Sequence, residues 1–280
     1  DIAALGTILD KVVHSLEEWA FLSMKNDDFV RASDLGAFGM MLPTILGQRV
    51  AELYIDPYTA HQLIKGLLKA HKTVTPFALV HLICNTTEMR PLLRTGSKEQ
   101  EKVQGGLLEH YSELIHAEPS VYDPSYDDFI DSIKTTMFLM DWADEKDEEE
   151  LLGMYAIRPG EIRTKLEKGD WLFYALEELA PLLRLHELLK VIKKVRLRVK
   201  FGVREELLTL LRLEGVGRVR ARRLHNSGLK DIGDVKSADI GAVARLIGQK
   251  TALRVKKQLG QEVKEIPVTK RKGQMNLGKF

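Results

Sequence analysis

The chain has 280 residues, with 42 Lys and Arg against 40 Asp and Glu and a net charge of +2. Hydrophobic residues make up 44%, enough to bury sizeable cores, which excludes a disordered or fibrous chain and points to two or three domains. The single cysteine, Cys84, excludes an internal disulfide framework and a four-cysteine zinc site and suits a reducing, cytoplasmic compartment. No uncharged run is long enough to span a bilayer and no signal peptide is visible, so no membrane partner is expected.

In chain order, an apolar helical stripe (Ile2, Leu5, Leu9, Val12, Leu16) is running from the first residue, which is Asp rather than Met. That start reads as a piece of a longer or processed chain. The pattern predicts helices over Ile2–Ala20 and Ser33–Leu42, then a short strand over Gln48–Ile55 broken by Asp56-Pro57. From Pro57 nearly everything reads helical. Tyr58–Ala70 is amphipathic, and Thr75-Pro76 is an N-cap followed by proline at the first helical position, opening Phe77–Cys84. Further helices are expected over Glu99–Ile115, Asp127–Trp142 and Glu148–Tyr155. The acidic run Asp144–Glu150 reads as a solvated loop. Arg158-Pro159-Gly160 opens a long helix to about Leu185, with a kink expected at Pro181. His186–Lys200 is a further helix, and Gly202 separates it from a small helical unit. The segment 267–280 reads as a mobile basic tail.

The near-neutral total hides an asymmetry. Residues 191–280 hold 23 Lys and Arg against 8 Asp and Glu, a net of +15, and the first 190 residues carry a net of −13. A basic C-terminal third with apolar periodicity suggests a folded surface for a polyanion. No phosphate-binding loop of the G-x-x-x-x-G-K-[ST] or G-x-G-x-x-G kind is present, so no nucleotide cofactor is expected in this chain. His81 and Cys84 stand one turn apart without further obvious ligands, so packing is preferred to a metal site. No nucleophile–base arrangement is visible, and no catalytic residue is assigned.

The strongest local motif is Leu213-Glu-Gly215-Val-Gly217-Arg218-Val-Arg220-Ala221-Arg222-Arg223-Leu224. A helix over Arg204–Leu213 is expected to end at Gly-Val-Gly with a second beginning directly, the helix-hairpin-helix pattern. Gly215 and Gly217 permit the tight turn, and N–H groups at the following helix start can point at a phosphate. Arg218, Arg220, Arg222 and Arg223 crowd a helix N-terminus whose dipole opposes them, which is explained by DNA backbone binding. On the long helix, Trp171 falls on the side away from the stripe Ile162, Leu166, Phe173, Leu176, Ala180 and Leu183. It is either covered by another helix or is a stacking platform for a base, with Arg163 and Lys168 nearby for phosphates. At the chain end, Gln274, Leu277 and Phe280 resemble the peptide by which replication proteins plug into the sliding clamp, though only one of the two usual aromatics is present.

Four segments, in order, resemble archaeal Ski-two-like superfamily-two DNA helicases, the group related to HelQ and the helicase part of polymerase theta. Thr44-Ile-Leu-Gly47-Gln-Arg-Val50-Ala-Glu-Leu-Tyr54-Ile-Asp56-Pro57 resembles the family's winged-helix exit. Pro159-Gly160-Glu-Ile-Arg163 through Gly169-Asp170-Trp171-Leu172 resembles its "ratchet" helix. Gly202-Val-Arg204-Glu-Glu-Leu-Leu resembles the link to the final domain, and Gly217-Arg-Val-Arg-Ala-Arg-Arg223-Leu that domain's hairpin. The resemblance implies a mainly α fold: a winged-helix domain at 1–56, a helical ratchet domain at 57–201, a helix-hairpin-helix domain at 202–266 and the tail at 267–280. It implies that Trp171 stacks on bases of a translocating strand and that Arg163 contacts that strand.

The same likeness implies an accessory, DNA-binding half of an ATP-dependent helicase acting on forked or single-stranded DNA in replication-linked repair. The chain would work as a monomer with the N-terminal motor domains of the same protein, where ATP and magnesium would bind, and would engage the sliding clamp through its tail. Gly169, two residues before Trp171, lowers helix propensity there by up to ~1 kcal/mol. The alternatives are a non-enzymatic DNA-binding or clamp-tethering module and an RNA helicase relative.

Overall fold

In the computed structural model, which describes residues 2–25, 40–70 and 74–261, the opening stripe forms helix α1 (Ile2–Glu18). Strands β1 (Leu22–Lys25) and β2 (Met40–Pro43) follow as an antiparallel pair, with Leu22 opposite Pro43 and Lys25 opposite Met40. The helix expected over Ser33–Leu42 is therefore corrected at its end, since Met40–Leu42 lie in β2; residues 33–39 lie outside the described residues. The strand expected over Gln48–Ile55 is also corrected: this stretch falls mostly in helix α2 (Ile45–Glu52). The Thr44 hydroxyl caps it by accepting from the Gly47 N–H at 3.0 Å. Leu46, Val50 and Leu53 recur at helical spacing toward the core, and Arg49 pairs with Glu52 at 2.7 Å one turn on. Capping and a 3–4 period outweigh β-branched content here.

Helix α3 (Pro57–Lys69) starts from Asp56, whose carboxylate accepts from the Tyr58 N–H at 2.8 Å. Helix α4 (Pro76–Cys84) starts from Thr75, as the sequence predicts, and every residue from Phe77 to Cys84 is buried. A helix that is apolar on all sides has to sit in the middle of a bundle, and α4 packs among α3, α6 (Tyr126–Ala143) and α8 (Pro159–Leu182). Between them, α5 (Gln100–Glu109) ends sooner than expected, giving way to a 3-10 turn at Tyr111–Glu113. The acidic run is only partly a loop. Asp147 caps α7 (Glu148–Tyr155) and Glu148, Glu149 and Glu150 form its first turn, where carboxylates favour the helix dipole. Pro181 lies in the last turn of α8, which ends at Leu182 instead of kinking and continuing. A 3-10 turn (His186–Leu188) then leads into α9 (Leu189–Phe201). Among the described residues, no helix is long and apolar enough to cross a membrane.

Contacts divide the chain into two units, 1–200 and 201–280. In the second, the helix expected over Arg204–Leu213 is replaced by two 3-10 turns, Glu205–Leu207 and Leu210–Arg212. Leu207, Leu210 and Leu213 are all buried. Their spacing of three matches a helix with three residues per turn, which brings them onto one face. Helices α10 (Arg218–Asn226), α11 (Ile232–Ser237), α12 (Ile240–Ile247) and α13 (Gln249–Gln258) complete the unit. They enclose a core of their own that includes Val216, Ala221, Leu224, Val243, Ile247, Ala252 and Val255.

The polar residues within the first core make stability depend on pH. His81 on α4 is fully buried, with Nε2 at 3.0 Å from the Ser132 hydroxyl and its ring edge-on to Phe129. Burial, reinforced by His116, pulls its pKa down to about 3. The unfolded chain therefore takes up a proton near pH 6.5 that the folded chain refuses. Stability from this group is complete above that pH and drains away as pH falls toward 3, by up to about 1.4 kcal/mol per pH unit. Denaturant unfolding should show the acid limb between pH 6 and 4 to be shallower in His81→Gln than in the wild type. Parallel limbs would refute a neutral buried imidazole.

Candidate nucleic-acid interface

Helix α8 is the scaffold of the first candidate region. Pro159 occupies its first turn, and the Glu161 carboxylate accepts from the Arg158 N–H at 2.9 Å. Its buried face comprises Ile162, Lys165, Gly169, Leu172, Phe173, Ala175, Leu176, Leu179 and Ala180. This arc is wider than the sequence stripe, and Trp171 stands at its border. The indole is half-buried against the core, and its Nε1–H donates to the Leu53 carbonyl at the end of α2, at 2.9 Å. Gly169 faces inward, and a Cβ there would meet Val199 and Ile83 only at 3.8 and 3.9 Å, ordinary contact distances.

The cations singled out near Trp171 have different surroundings. Arg163 is exposed, and its Nε donates to Glu167 at 2.9 Å one turn on, an exposed pair of small net worth. Both line an open cleft of about 280 Å³ with Trp142, Ile162 and Leu166. Lys168 is half-buried and donates to the Arg90 carbonyl at 2.5 Å. It is one of three lysines that hold the segment 89–94. Lys165 donates to the Met89 carbonyl at 2.7 Å and to that of Pro91, and Lys134 to that of Arg94 at 2.7 Å. The α6 residues Thr135 and Asp131 accept from the Leu93 and Thr95 N–H groups at 3.0 and 2.7 Å. With its backbone held from inside, this segment presents the Arg90 and Arg94 side chains to solvent, Arg90 paired with Asp128 at 2.6 Å. Neither arginine was legible as a candidate, because isolated arginines in a loop carry no period or motif.

The second candidate region is the hairpin before α10. Gly215 has φ +75°, a conformation glycine adopts without cost. Gly217 is extended and forms the N-cap of α10 with no side chain capping the helix. A Cβ at Gly217 would meet nothing within 4 Å, so the space over the helix start is open. Arg220 closes the turn by donating to the Gly215 carbonyl at 2.8 Å. Arg222 pairs with Glu206 at 2.9 Å. Arg218 is half-buried, and Arg220 and Arg223 are exposed. Ala221 and Leu224 are buried beneath.

The hairpin recurs in the same unit, which the sequence reading missed. Ile247-Gly248-Gln249-Lys250-Thr251-Ala252 repeats the pattern of Val216-Gly217-Arg218-Val219-Arg220-Ala221. Val216 and Ile247, Ala221 and Ala252, and Leu224 and Val255 are buried in matching places, although Gly248 has φ +88° where Gly217 is extended. The spacing of glycine, alanine and the next aliphatic would have revealed the repeat. The arginine cluster that drew attention to the first copy is absent from the second. Gln274, Leu277 and Phe280 lie outside the described residues. Among the described residues, no group of three or more His, Cys, Asp or Glu side chains could hold a metal ion, and the buried Cys84 thiol is pushed up to about 12 by desolvation.

Two family models match the chain: archaeal helicase domain 4 over residues 77–202, and a SAM-like helix-hairpin-helix tandem over 207–261. Similar proteins include the ATP-dependent DNA helicase Hel308 of Methanocella arvoryzae, 33% identical over 94% of this chain and 35% of its own length. The Hel308 of Methanocaldococcus jannaschii is 35% identical over 78% of this chain and 17% of its own length. That of Caldivirga maquilingensis is 30% identical over 94% and 34%. The chain matches the C-terminal helicase-domain-4 and helix-hairpin-helix region of archaeal Hel308-like superfamily-two DNA helicases. It spans about a third or less of the length of these relatives. The first match runs from α4 to the end of α9 and so contains α8 with Arg163, Lys168 and Trp171. The second contains both glycine hairpins, in keeping with its tandem description. The chain thus corresponds to the helicase-domain-4 and helix-hairpin-helix part of these relatives.

Proposed function

We propose that this chain grips single-stranded or forked DNA for an ATP-dependent helicase engaged in replication-linked repair. ATP and magnesium would act on motor domains elsewhere in the same protein, which would work as a cytoplasmic, nucleoid-associated monomer. In this reading residues 1–56 couple to the motor, 57–201 line the path of the strand, 202–266 hold the strand backbone, and 267–280 offer Gln274, Leu277 and Phe280 to a sliding clamp. On α8, Trp171 stacks on a base, Arg163 exchanges Glu167 for a phosphate, and Lys168 supports the strand path through the Arg90 carbonyl. At the hairpin, Gly215 and Gly217 let a phosphate approach the α10 start, and Arg218, Arg220, Arg222 and Arg223 supply the charge.

The observation that carries the reading is the uncapped α10 N-terminus, open above Gly217, with Arg218 and Arg220 in its first turn, while Arg223 falls in the last turn. Cations in the first turn oppose the helix dipole, and an anion seated there offsets that and accepts from the helix N–H groups. Arg220→Ala/Arg222→Ala/Arg223→Ala should weaken single-strand binding by at least about tenfold at low salt. It should also flatten the salt dependence, with the slope of log K against log[salt] falling by up to about 2 for three lost phosphate contacts. The effect should be the same on unrelated sequences, because backbone contacts carry no sequence information. Fluorescence anisotropy on two unrelated oligonucleotides across a salt series decides it. An unchanged slope would reject the hairpin as the phosphate site.

A further inference from the structure

Tyr54 closes α2 in a way the fold does not require. It has φ +56° and is the one aromatic among the described residues with positive φ. A bulky L residue is disfavoured there, and glycine or asparagine is the usual choice after a helix. Its side chain is 88% exposed and adds little to the core. The backbone beneath it is nonetheless firmly placed. The Leu53 carbonyl, part of the peptide that joins it to Tyr54, accepts from the Trp171 Nε1–H at 2.9 Å, and the Tyr54 N–H donates to Ala51 at 3.1 Å. An exposed aromatic on a strained, anchored turn thus directly follows the carbonyl that holds the Trp171 indole. Tyr174, one turn along α8, is 38% exposed with the Arg196 guanidinium 5.1 Å from its ring centre.

We infer that Tyr54 is a second base-stacking residue, which with Trp171 forms a two-aromatic platform for unpaired nucleobases of a single strand. The inference rests on the reading of α8 as a strand-contacting helix. The carboxylates near the turn are committed within the protein: Glu52 to Arg49, Asp56 to the Tyr58 N–H, and Glu88 to the Asp56 N–H and the Thr59 hydroxyl. Arg49 on the same helix is itself paired with Glu52 and Glu178, so the group that Tyr54 would recognise is the flat face of a base rather than a phosphate. Every base has such a face, so the platform is tolerant of sequence. Backbone strain at an exposed aromatic fits a binding role, since strain of this kind concentrates where function maintains it.

The test compares the wild-type chain with Tyr54→Gly, Tyr54→Asn, Tyr54→Phe and Trp171→Ala, by thermal melting and by anisotropy with a fluorescent oligothymidylate and a blunt duplex. Tyr54→Gly and Tyr54→Asn should melt at or above the wild-type temperature, because both residues accept the left-handed turn. Both should bind the single strand about 5- to 150-fold more weakly, the loss of one base–aromatic stack. Tyr54→Phe should bind like the wild type, and duplex binding should not change in any Tyr54 variant. Wild-type affinity in Tyr54→Gly and Tyr54→Asn, with Trp171→Ala weakened, would overturn the role of Tyr54 and leave the reading of α8 standing. Wild-type affinity in Trp171→Ala, or no single-strand binding by the wild type, would overturn both. A lower melting temperature in Tyr54→Gly and Tyr54→Asn alike would make Tyr54 a structural residue and overturn the inference.

Discussion

Gly47→Ala should lower the melting temperature of the 1–200 unit by several degrees at least, although alanine is the better helix former. Gly47 lies in the first turn of α2, where the helix meets the chain at Phe21. A Cβ added there would fall 1.9 Å from the Phe21 carbonyl oxygen and 2.7 Å from its carbon. These are backbone atoms and cannot rotate away. They are also fixed by their own bonds: the Phe21 carbonyl accepts from the Thr44 N–H at 3.0 Å, and the Thr44 hydroxyl donates to the Ala20 carbonyl at 2.6 Å while capping α2. The gain in helix propensity is at most about 1 kcal/mol. Forcing two packed backbones apart costs about 1–3 kcal/mol or more, since the loss of the Thr44 cap adds to it. The clash wins, and a net loss near 2–3 kcal/mol corresponds to a drop of roughly 4–12 °C for a unit of this size. Calorimetry measures it, and a variant that melts with the wild type would show that α2 can slide without cost.

Lys165→Met should destabilise the same unit by about 2–5 kcal/mol, in spite of replacing a buried amine with an apolar side chain of similar length. Lys165 is only 5% exposed, and its ammonium donates to the carbonyls of Met89 and Pro91. Burial pulls its pKa below the ordinary lysine value, with the neighbouring Lys168 acting in the same direction. Methionine keeps the packing and removes the donors, so each buried carbonyl without a partner costs about 1–3 kcal/mol. Lys168→Met is the control. Lys168 is less buried and holds one carbonyl, and its loss should cost no more than about 1.5 kcal/mol. Denaturant unfolding measures both, and amide exchange across 89–95 should accelerate in Lys165→Met before the rest of the unit. Equal stability of wild type and Lys165→Met would mean that water reaches these carbonyls.

Local rules account for much of what the sequence predicts correctly. Thr75-Pro76 starts α4 and Pro159 starts α8 because capping and the fixed φ of proline act over three or four residues. The first hairpin was legible because Gly215, at φ +75°, and the buried Ala221 each meet a steric demand of the turn itself. The errors have an equally physical origin. Gln48–Ile55 looks like a strand by residue type, and the Thr44 cap together with the 3–4 spacing of Leu46, Val50 and Leu53 toward the core makes most of it the end of a helix. Residues 205–212 look α-helical, and the spacing of Leu207, Leu210 and Leu213 against one small core winds them into 3-10 turns instead.

By itself, then, the sequence determined the mainly helical class, most helix starts, the glycine hairpin and the basic C-terminal third, because each depends on neighbours in the chain. Only the tertiary structure decided which side of α8 is closed. Trp171 is half-buried against the core with a bonded edge because the Leu53 carbonyl, 118 residues earlier, lies against it. Lys165 and Lys168 grip backbone carbonyls 74 to 78 residues away, a use of lysine that charge patterning cannot separate from phosphate binding. Side chains that bond across such distances do so because packing brings them together, and no short-range pattern records it.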